Sequence, residues 1–306
     1  MNGPDADAPN PAPVPRNRLR SLVSRFGSTL VLWLLIGSAL VSADPVLFFL
    51  LIFLLMMGGL WEFFHLLHIR HAKGETIVTL SVAAAYVTVC FWHAAGGGGT
   101  DFSRFDLLAL FHVTVAGFLI HMASPVHPGR SHIQVMACVF AFVYIAFLFN
   151  FVTRISWFDD GHPSSSAVPG RTYLLFGLAV TKFTDMGAYL VGSFFGRHKA
   201  VPHLSPGKTW EGYLGSIPFA FLAAFTVTGF LGPGVPLLTP VHTAVLAVLL
   251  ALGAILGDLA ESTLKRSLRA KDSGHVMPGI GGVLDLIDSI LFTSPILYFY
   301  LEWLKP

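Results

Sequence analysis

The sequence predicts an all-α, polytopic integral membrane protein with about nine transmembrane helices and a cytoplasmic N-terminus. Three observations carry that prediction. Hydrophobic residues make up 54% of the 306 and charged residues only 12%, with a mean hydropathy of +0.69. A soluble chain of this length has too little polar surface to cover so much apolar material, whereas repeated runs of about 18 or more apolar residues suit helices that cross a bilayer. None of the runs alternates like a strand, and turn-forming clusters separate them: "AAGGGGTD", "SPVHPGRSH", "DDGHPSSSAVPG" and "GPGVP".

Taken in order, residues 1–15 are rich in Pro, Ala and Asp and are expected to be disordered, within a basic cytoplasmic tail over 1–25. The first span, 27–43, follows Arg16, Arg18, Arg20 and Arg25. A signal peptide cleaved after "VSA" is the alternative there, and the helix is preferred because another apolar run starts at Pro45. Further spans are expected at 45–69, 76–95, 104–124, 132–153, 172–196, 209–231, 240–263 and 283–304. The helices divide into an N-terminal set over 26–160 and a C-terminal set over 172–306. Cys90 and Cys138 lie inside apolar runs, which excludes a disulfide framework and a CxxC metal knuckle. A net charge of +2 gives no reason to expect a nucleic-acid partner.

Alternating spans with the N-terminus inside put Arg16, Arg18, Arg20, Arg25, Arg70, Lys73, Arg130, Arg197, Lys199, Lys208, Lys265, Arg266, Arg269 and Lys271 on the cytoplasmic side. Only Arg104, Arg154, Arg171 and Lys305 fall outside, and Lys182 is left within a span. That fourteen-to-four asymmetry is what the positive-inside rule expects. It also makes 265–282 a cytoplasmic loop.

Charge inside apolar runs is costly, about 2.5–3.5 kcal/mol per residue at mid-bilayer on insertion scales, so each such group needs a partner or a wet cavity. Lys182 and Asp185, Asp258 and Glu261, and Asp285 and Asp288 each lie three apart, on one face of a helix. With the loops "GRHKAVPHLSPGKTWEG" and "KRSLRAKDSGHVMPGIGG" they fall toward the same side. Singly, each has a structural explanation: Asp285 as a helix-dipole partner, Arg269 as a lipid-facing or topogenic cation, "PGIGG" as a helix breaker. "SPGKT" is no P-loop, since Pro202 stands where that pattern needs glycine. The conjunction of carboxylates, bases and glycine-bearing loops suits phosphoryl or nucleotidyl transfer, in which carboxylates hold a divalent cation, Lys and Arg hold phosphates, and Gly lets backbone N–H groups approach an anion.

"STLKRSLRAKDSGHVMPGIGGVLDLIDS" resembles the C-terminal signature of the integral-membrane phosphatidate cytidylyltransferases, or CDP-diacylglycerol synthases. Ser262, Lys265, Arg266, Lys271, Asp272, Pro278, Gly279, Gly281, Gly282, Asp285 and Asp288 fall in register. A second stretch of that family is similar to "DMGAYLVGSFFGRHKAVPHLSPGKTWEG", matching at Asp185, Gly187, Ala188, Tyr189, Ser205, Pro206, Lys208, Thr209, Trp210, Glu211 and Gly212. Two positions depart: Ile280 stands where the family has His, and Leu286 where it has Arg.

The resemblance implies conversion of CTP and phosphatidate to CDP-diacylglycerol and pyrophosphate in the inner membrane, at an active site facing the cytoplasm. It implies magnesium on Asp258, Asp285, Asp288 and Asp185, with a second, monovalent cation left open. Lys265, Arg266, Lys271, Asp272 and Asp285 are the implied catalytic set, and Ser205, Lys208, Thr209, Ser262, Gly281 and Gly282 the implied substrate-binding set. A homodimer is also implied. Three alternatives stay open: a CTP-dependent polyprenol or phytol kinase, a cytidylyltransferase for another lipid phosphate, and a transporter using Lys182 and Asp185 as an ion relay. His65, His68 and His71 after Glu62 hint at a di-iron box, but the recurrence of paired histidines is missing, and a polar helix end is the preferred reading.

Overall fold

The structure, a computed structural model, describes residues 37–38, 42, 44–67, 73–123, 131–161, 169–268, 270 and 281–306. The expected first span and the basic tail lie almost wholly outside these residues. Among the described residues eight helices are long and apolar enough to cross a membrane: α1 (Pro45–Leu66), α2 (Lys73–Ala95), α3 (Ser103–Met122), α4 (Ser131–Ser156), α5, whose apolar window is Gly170–Phe195, α6 (Trp210–Leu231), α7 (Pro240–Ser267) and α8 (Val283–Leu304). No strand is found among them. The protein is therefore an all-α, multi-pass membrane protein.

Local chemistry sets several helix starts. Asp44 accepts the Val46 N–H at 2.8 Å ahead of Pro45, which opens α1 where its missing N–H costs nothing. Thr209 caps α6 by accepting the Gly212 N–H at 3.2 Å. Asp285, in the first turn of α8, reaches back to the Gly282 N–H at 2.8 Å. Halfway along α4 the ladder loosens into a π-helical stretch, Phe142–Phe147. Single π turns inside α-helices often lie beside functional sites.

The C-terminal helix α8 is the centre of the bundle, packed against α1, α5, α7 and the end of α4. Its Leu284, Ile287 and Leu291 are buried with Met56 and Leu60 of α1 and Leu246 and Leu250 of α7. Outward faces are apolar as well: on α3, Leu107, Leu108, Phe111, Phe118 and Met122 are exposed, the pattern of a lipid-facing surface. At the end of the bundle away from the start of α8, the half-buried Asp106 accepts two hydrogen bonds from Arg154 (2.7 and 2.5 Å) and one from the Tyr86 hydroxyl (2.7 Å). The buried guanidinium also lies over Phe102 and Phe151, at 4.9 and 4.8 Å from the ring centroids.

Candidate active site

The C-terminal halves of α5 and α7 and the N-terminal ends of α6 and α8 converge at one end of the bundle, and each brings polar side chains to a common point. Helices α7 and α8 approach closely because Gly257 has no side chain: a Cβ there would lie 2.5 Å from the Asp288 carbonyl oxygen. Asp258 follows directly and so faces the turn of α8 that carries Asp288 and Ser289. Gly281, at φ +111°, turns the chain into α8 in a conformation that suits glycine.

Between these helices lies a cavity of ≈ 190 Å³ whose walls include Asp185, Lys208, Asp258, Asp285, Asp288 and Ser289, with Thr184, Tyr213 and the apolar Ala188 and Ile255. Lys182 Nζ is 3.5 Å from Asp185 and donates to the Leu286 carbonyl at 3.0 Å. Lys208 Nζ lies 2.7 Å from Asp258. Lys265 Nζ bridges Glu261 (2.8 Å) and Asp285 (2.7 Å), tying α7 to α8. Asp288, only 5% exposed, has no lysine against it among these ion pairs. It accepts from its neighbour Ser289, whose hydroxyl lies 3.1 Å from Asp288 and 3.3 Å from Asp185.

The loop between α5 and α6 delivers Lys208. Ala200 N–H donates to the Lys208 carbonyl at 3.1 Å and Trp210 N–H to the His198 carbonyl at 3.0 Å, closing a narrow hairpin. Glu211 fastens its base, accepting from the N–H groups of Arg197 (3.1 Å) and His198 (3.2 Å) and contacting His198 Nδ1 at 2.5 Å. Burial alone would lower the Lys208 ammonium's pKa; the Asp258 carboxylate outweighs burial and holds it above its ordinary value.

Several expected residues are therefore brought together: Asp185, Lys208, Asp258, Asp285 and Asp288 line one cavity, with Lys265 against its wall. Others are placed differently. Thr209 is buried at 3% exposure and engaged in capping α6. Exposed Arg266 donates from Nε to the Leu204 carbonyl at 3.0 Å, pointing at the hairpin rather than the cavity. Ser205 is part of that hairpin's turn, its carbonyl accepting the Lys208 N–H at 3.1 Å, and half-buried Ser262 is not among the cavity walls. Gly281 and Gly282 lead into α8. Lys271, Asp272 and Ile280 lie outside the described residues, as do His68 and His71.

The sequence reading did not single out Thr184, Tyr213 and Ser289, each within five residues of a chosen one. It also missed the role of Glu62, whose carboxylate reaches α8 from the other half of the chain.

The donor chemistry fits a hard divalent cation. Five carboxyls (Asp185, Asp258, Glu261, Asp285 and Asp288) meet three ammonium groups (Lys182, Lys208 and Lys265) among the described residues, so that acids outnumber bases here. No three acidic, His or Cys side chains among those residues converge closely enough to form a ligand set by themselves. Asp285 is the least free, one oxygen taken by Lys265 and the other by the Gly282 N–H. Asp185, Asp258 and Asp288 have the freer oxygens.

Fold and site together define a class: a multi-pass membrane protein with an ionic cavity, rich in carboxylates and lysines, at one end of its helices. Residues 23–304 match the cytidylyltransferase family, and the chain belongs to that family. Among its relatives are the uncharacterized protein YnbB of Escherichia coli (strain K12), 34% identical over 208 residues, covering 66% of each chain. The phosphatidate cytidylyltransferase of Bacillus subtilis (strain 168) is 37% identical over 161 residues, covering 53% of this chain and 56% of that one. The phosphatidate cytidylyltransferase of Staphylococcus epidermidis (strain ATCC 35984) is 30% identical over 273 residues, covering 88% of this chain and 95% of that one. The matched stretches thus span from about half to nearly all of these relatives' lengths.

Proposed function

We propose that the protein is a phosphatidate cytidylyltransferase: CTP and phosphatidate react to give CDP-diacylglycerol and pyrophosphate. One observation carries the reading. Of the described residues in register with the cytidylyltransferase signature, Asp285 and Asp288 line one polar cavity together with Asp185, Lys208 and Asp258, and Lys265 stands against its wall.

A phosphatidate oxygen attacks the α-phosphorus of CTP, a new P–O bond forms, and the bond to the β-phosphate oxygen breaks with pyrophosphate leaving. The nucleophile is already an anion, so no strong base is needed, and catalysis is chiefly positioning and electrostatic stabilisation. Lys208, on its fastened hairpin, and Lys182 supply positive charge to the phosphates. Lys265 and the Gly282 N–H hold Asp285 in place. A cavity of ≈ 190 Å³ accommodates phosphate groups rather than a whole nucleotide, since pockets for drug-sized molecules run to about 300–1,000 Å³. Asp185, Asp258 and Asp288 would supply only part of the ligand set for magnesium, which when bound would neutralise phosphate charge and orient the displacement. The excess of basic residues in the loops on this side supports reading the site as facing the cytoplasm from the inner membrane, where CTP is found and where the lipid's acyl chains stay in the bilayer.

The test is the product. Purified protein in phosphatidate-containing micelles, given α-labelled CTP and magnesium, should form labelled CDP-diacylglycerol and release pyrophosphate, read by mass spectrometry. Asp288→Asn should lose at least about a hundredfold in kcat, the scale of removing one transition-state electrostatic contact. Release of CDP with a phosphorylated lipid alcohol would instead identify a lipid kinase and overturn the proposal.

A further inference from the structure

Glu62, near the end of α1, belongs to the half of the molecule that contributes no wall to the cavity, yet it is only 4% exposed and its Oε2 accepts the Leu284 N–H at 2.8 Å. Leu284 is the second residue of α8, next to Asp285 and one turn from Asp288. The first N–H groups of any helix have no partner within it, and a buried one left unpaired is costly. Asp285 satisfies Gly282, and Glu62 satisfies Leu284 from 222 positions away. Its charge also complements the positive end of the helix dipole.

Packing places the same contact. α1 presents Gly58 and Gly59 to α8: a Cβ on Gly59 would stand 2.9 Å from Ile287 Cδ1, and one on Gly58 3.1 Å from Val283 Cγ2. Val283, Leu284 and Ile287 of α8 therefore rest on positions 58, 62 and 59 of α1. The Glu62 Oε1 has no hydrogen-bond partner among the described residues. A buried carboxylate held chiefly by one helix N-terminus has that terminus as its evident work.

We infer that Glu62 is a positioning residue for the cytidylyl transfer proposed above: it fixes the first turn of α8, and through it the carboxylates of Asp285 and Asp288. The inference rests on that reading for its kinetic consequence but not for its structural one. Full-length wild type, Glu62→Gln and Glu62→Leu are compared in detergent micelles by amide hydrogen exchange of residues 283–288 and by kcat and KM for CTP. Glu62→Leu should speed exchange there and lower kcat, each by about tenfold or more, the scale of a charge-assisted hydrogen bond. Its KM for CTP should stay within about threefold, since uniform binding is not what is lost. Glu62→Gln, which keeps an oxygen acceptor, should restore slow exchange and most of kcat.

Wild-type exchange and kcat in Glu62→Leu overturn the inference. So does a fall in kcat in both variants with exchange unchanged, which would make the charge itself the agent. Glu62→Met, of similar length and without an acceptor, replaces Glu62→Leu should that variant not fold. A wild-type protein that makes no CDP-diacylglycerol counts against the activity alone, while the exchange comparison still decides whether Glu62 holds the turn.

Discussion

Adding a single methyl group at Gly257 tests whether the helix crossing sets the chemistry. In Gly257→Ala the new Cβ would meet the Asp288 carbonyl oxygen at 2.5 Å and Ser289 Cα at 2.9 Å. These are backbone atoms of a packed helix and have no rotamer to escape into. Ordinary contact begins at 3.4 Å, so α7 and α8 must part by about 0.9 Å at this point. Asp258, the next residue, is carried away from Asp288 by a comparable distance. Misplacement of about 1 Å costs roughly a hundredfold in rate, and overpacking costs about 1–3 kcal/mol of stability. Gly253, one turn earlier on the same face, is the control. A Cβ there meets chiefly Ile296 Cδ1, at 2.7 Å, the end of a side chain that can rotate away. The assay is CDP-diacylglycerol formation at saturating CTP, with thermal unfolding in detergent alongside. Gly257→Ala should lose about two orders of magnitude in kcat, and Gly253→Ala should stay within about threefold of wild type. Equal activities in the two variants would refute the idea that this crossing aligns the carboxylates.

Further outcomes are expected at Lys208, at Arg154 and at the metal site. Lys208→Met should lower kcat/KM for CTP by about 10–100-fold, the range of a lost charge-assisted contact. Because Asp258 raises the Lys208 pKa in the folded protein, the stability from this pair is fully present below the lysine's ordinary value of 10.5 and is lost only as pH rises through the higher folded value, so the Tm difference between wild type and Lys208→Met should stay flat from about pH 7 to 10. Arg154→Met leaves Asp106, among the described residues, with only the Tyr86 hydroxyl, and should cost about 3–5 kcal/mol of stability while leaving kcat per folded molecule unchanged, read by unfolding and by activity of the folded fraction. Removal of divalent cations with a chelator should abolish turnover, magnesium should restore it, and Asp288→Asn should need at least about tenfold more magnesium for half-activation, as weakened metal sites commonly do.

Much of this architecture was legible in the sequence because lipid imposes length and polarity on each helix separately. The expected span 283–304 is Val283–Leu304, and 209–231 is Trp210–Leu231. One end that moved carries charge: α7 continues beyond 263 to Ser267, with Glu261 and Lys265 paired one turn apart along it. The pairing of Lys182 with Asp185 followed from spacing in the same way. Contacts between distant helices did not. Helical periodicity says which residues share a face and nothing about what that face meets. Glu62 accordingly read as the flank of a histidine cluster, although its partner is Leu284. Thr209 and Arg266 matched a family pattern by residue type, but capping of α6 and the Leu204 carbonyl engage them here.

The way the lysines are distributed has a bearing on biosynthesis. Helix α5 carries Lys182 beside Asp185, and α7 carries Lys265 beside Glu261, so each can enter the bilayer with part of its charge already compensated. Helix α8 brings Asp285 and Asp288 and no cation of its own. It emerges from the ribosome after α7, and Lys265 is by then available to receive Asp285. Assembly in the order of translation thus spares the most acidic helix a solitary passage through lipid, and a circular permutant that made α8 before α7 would forfeit that protection.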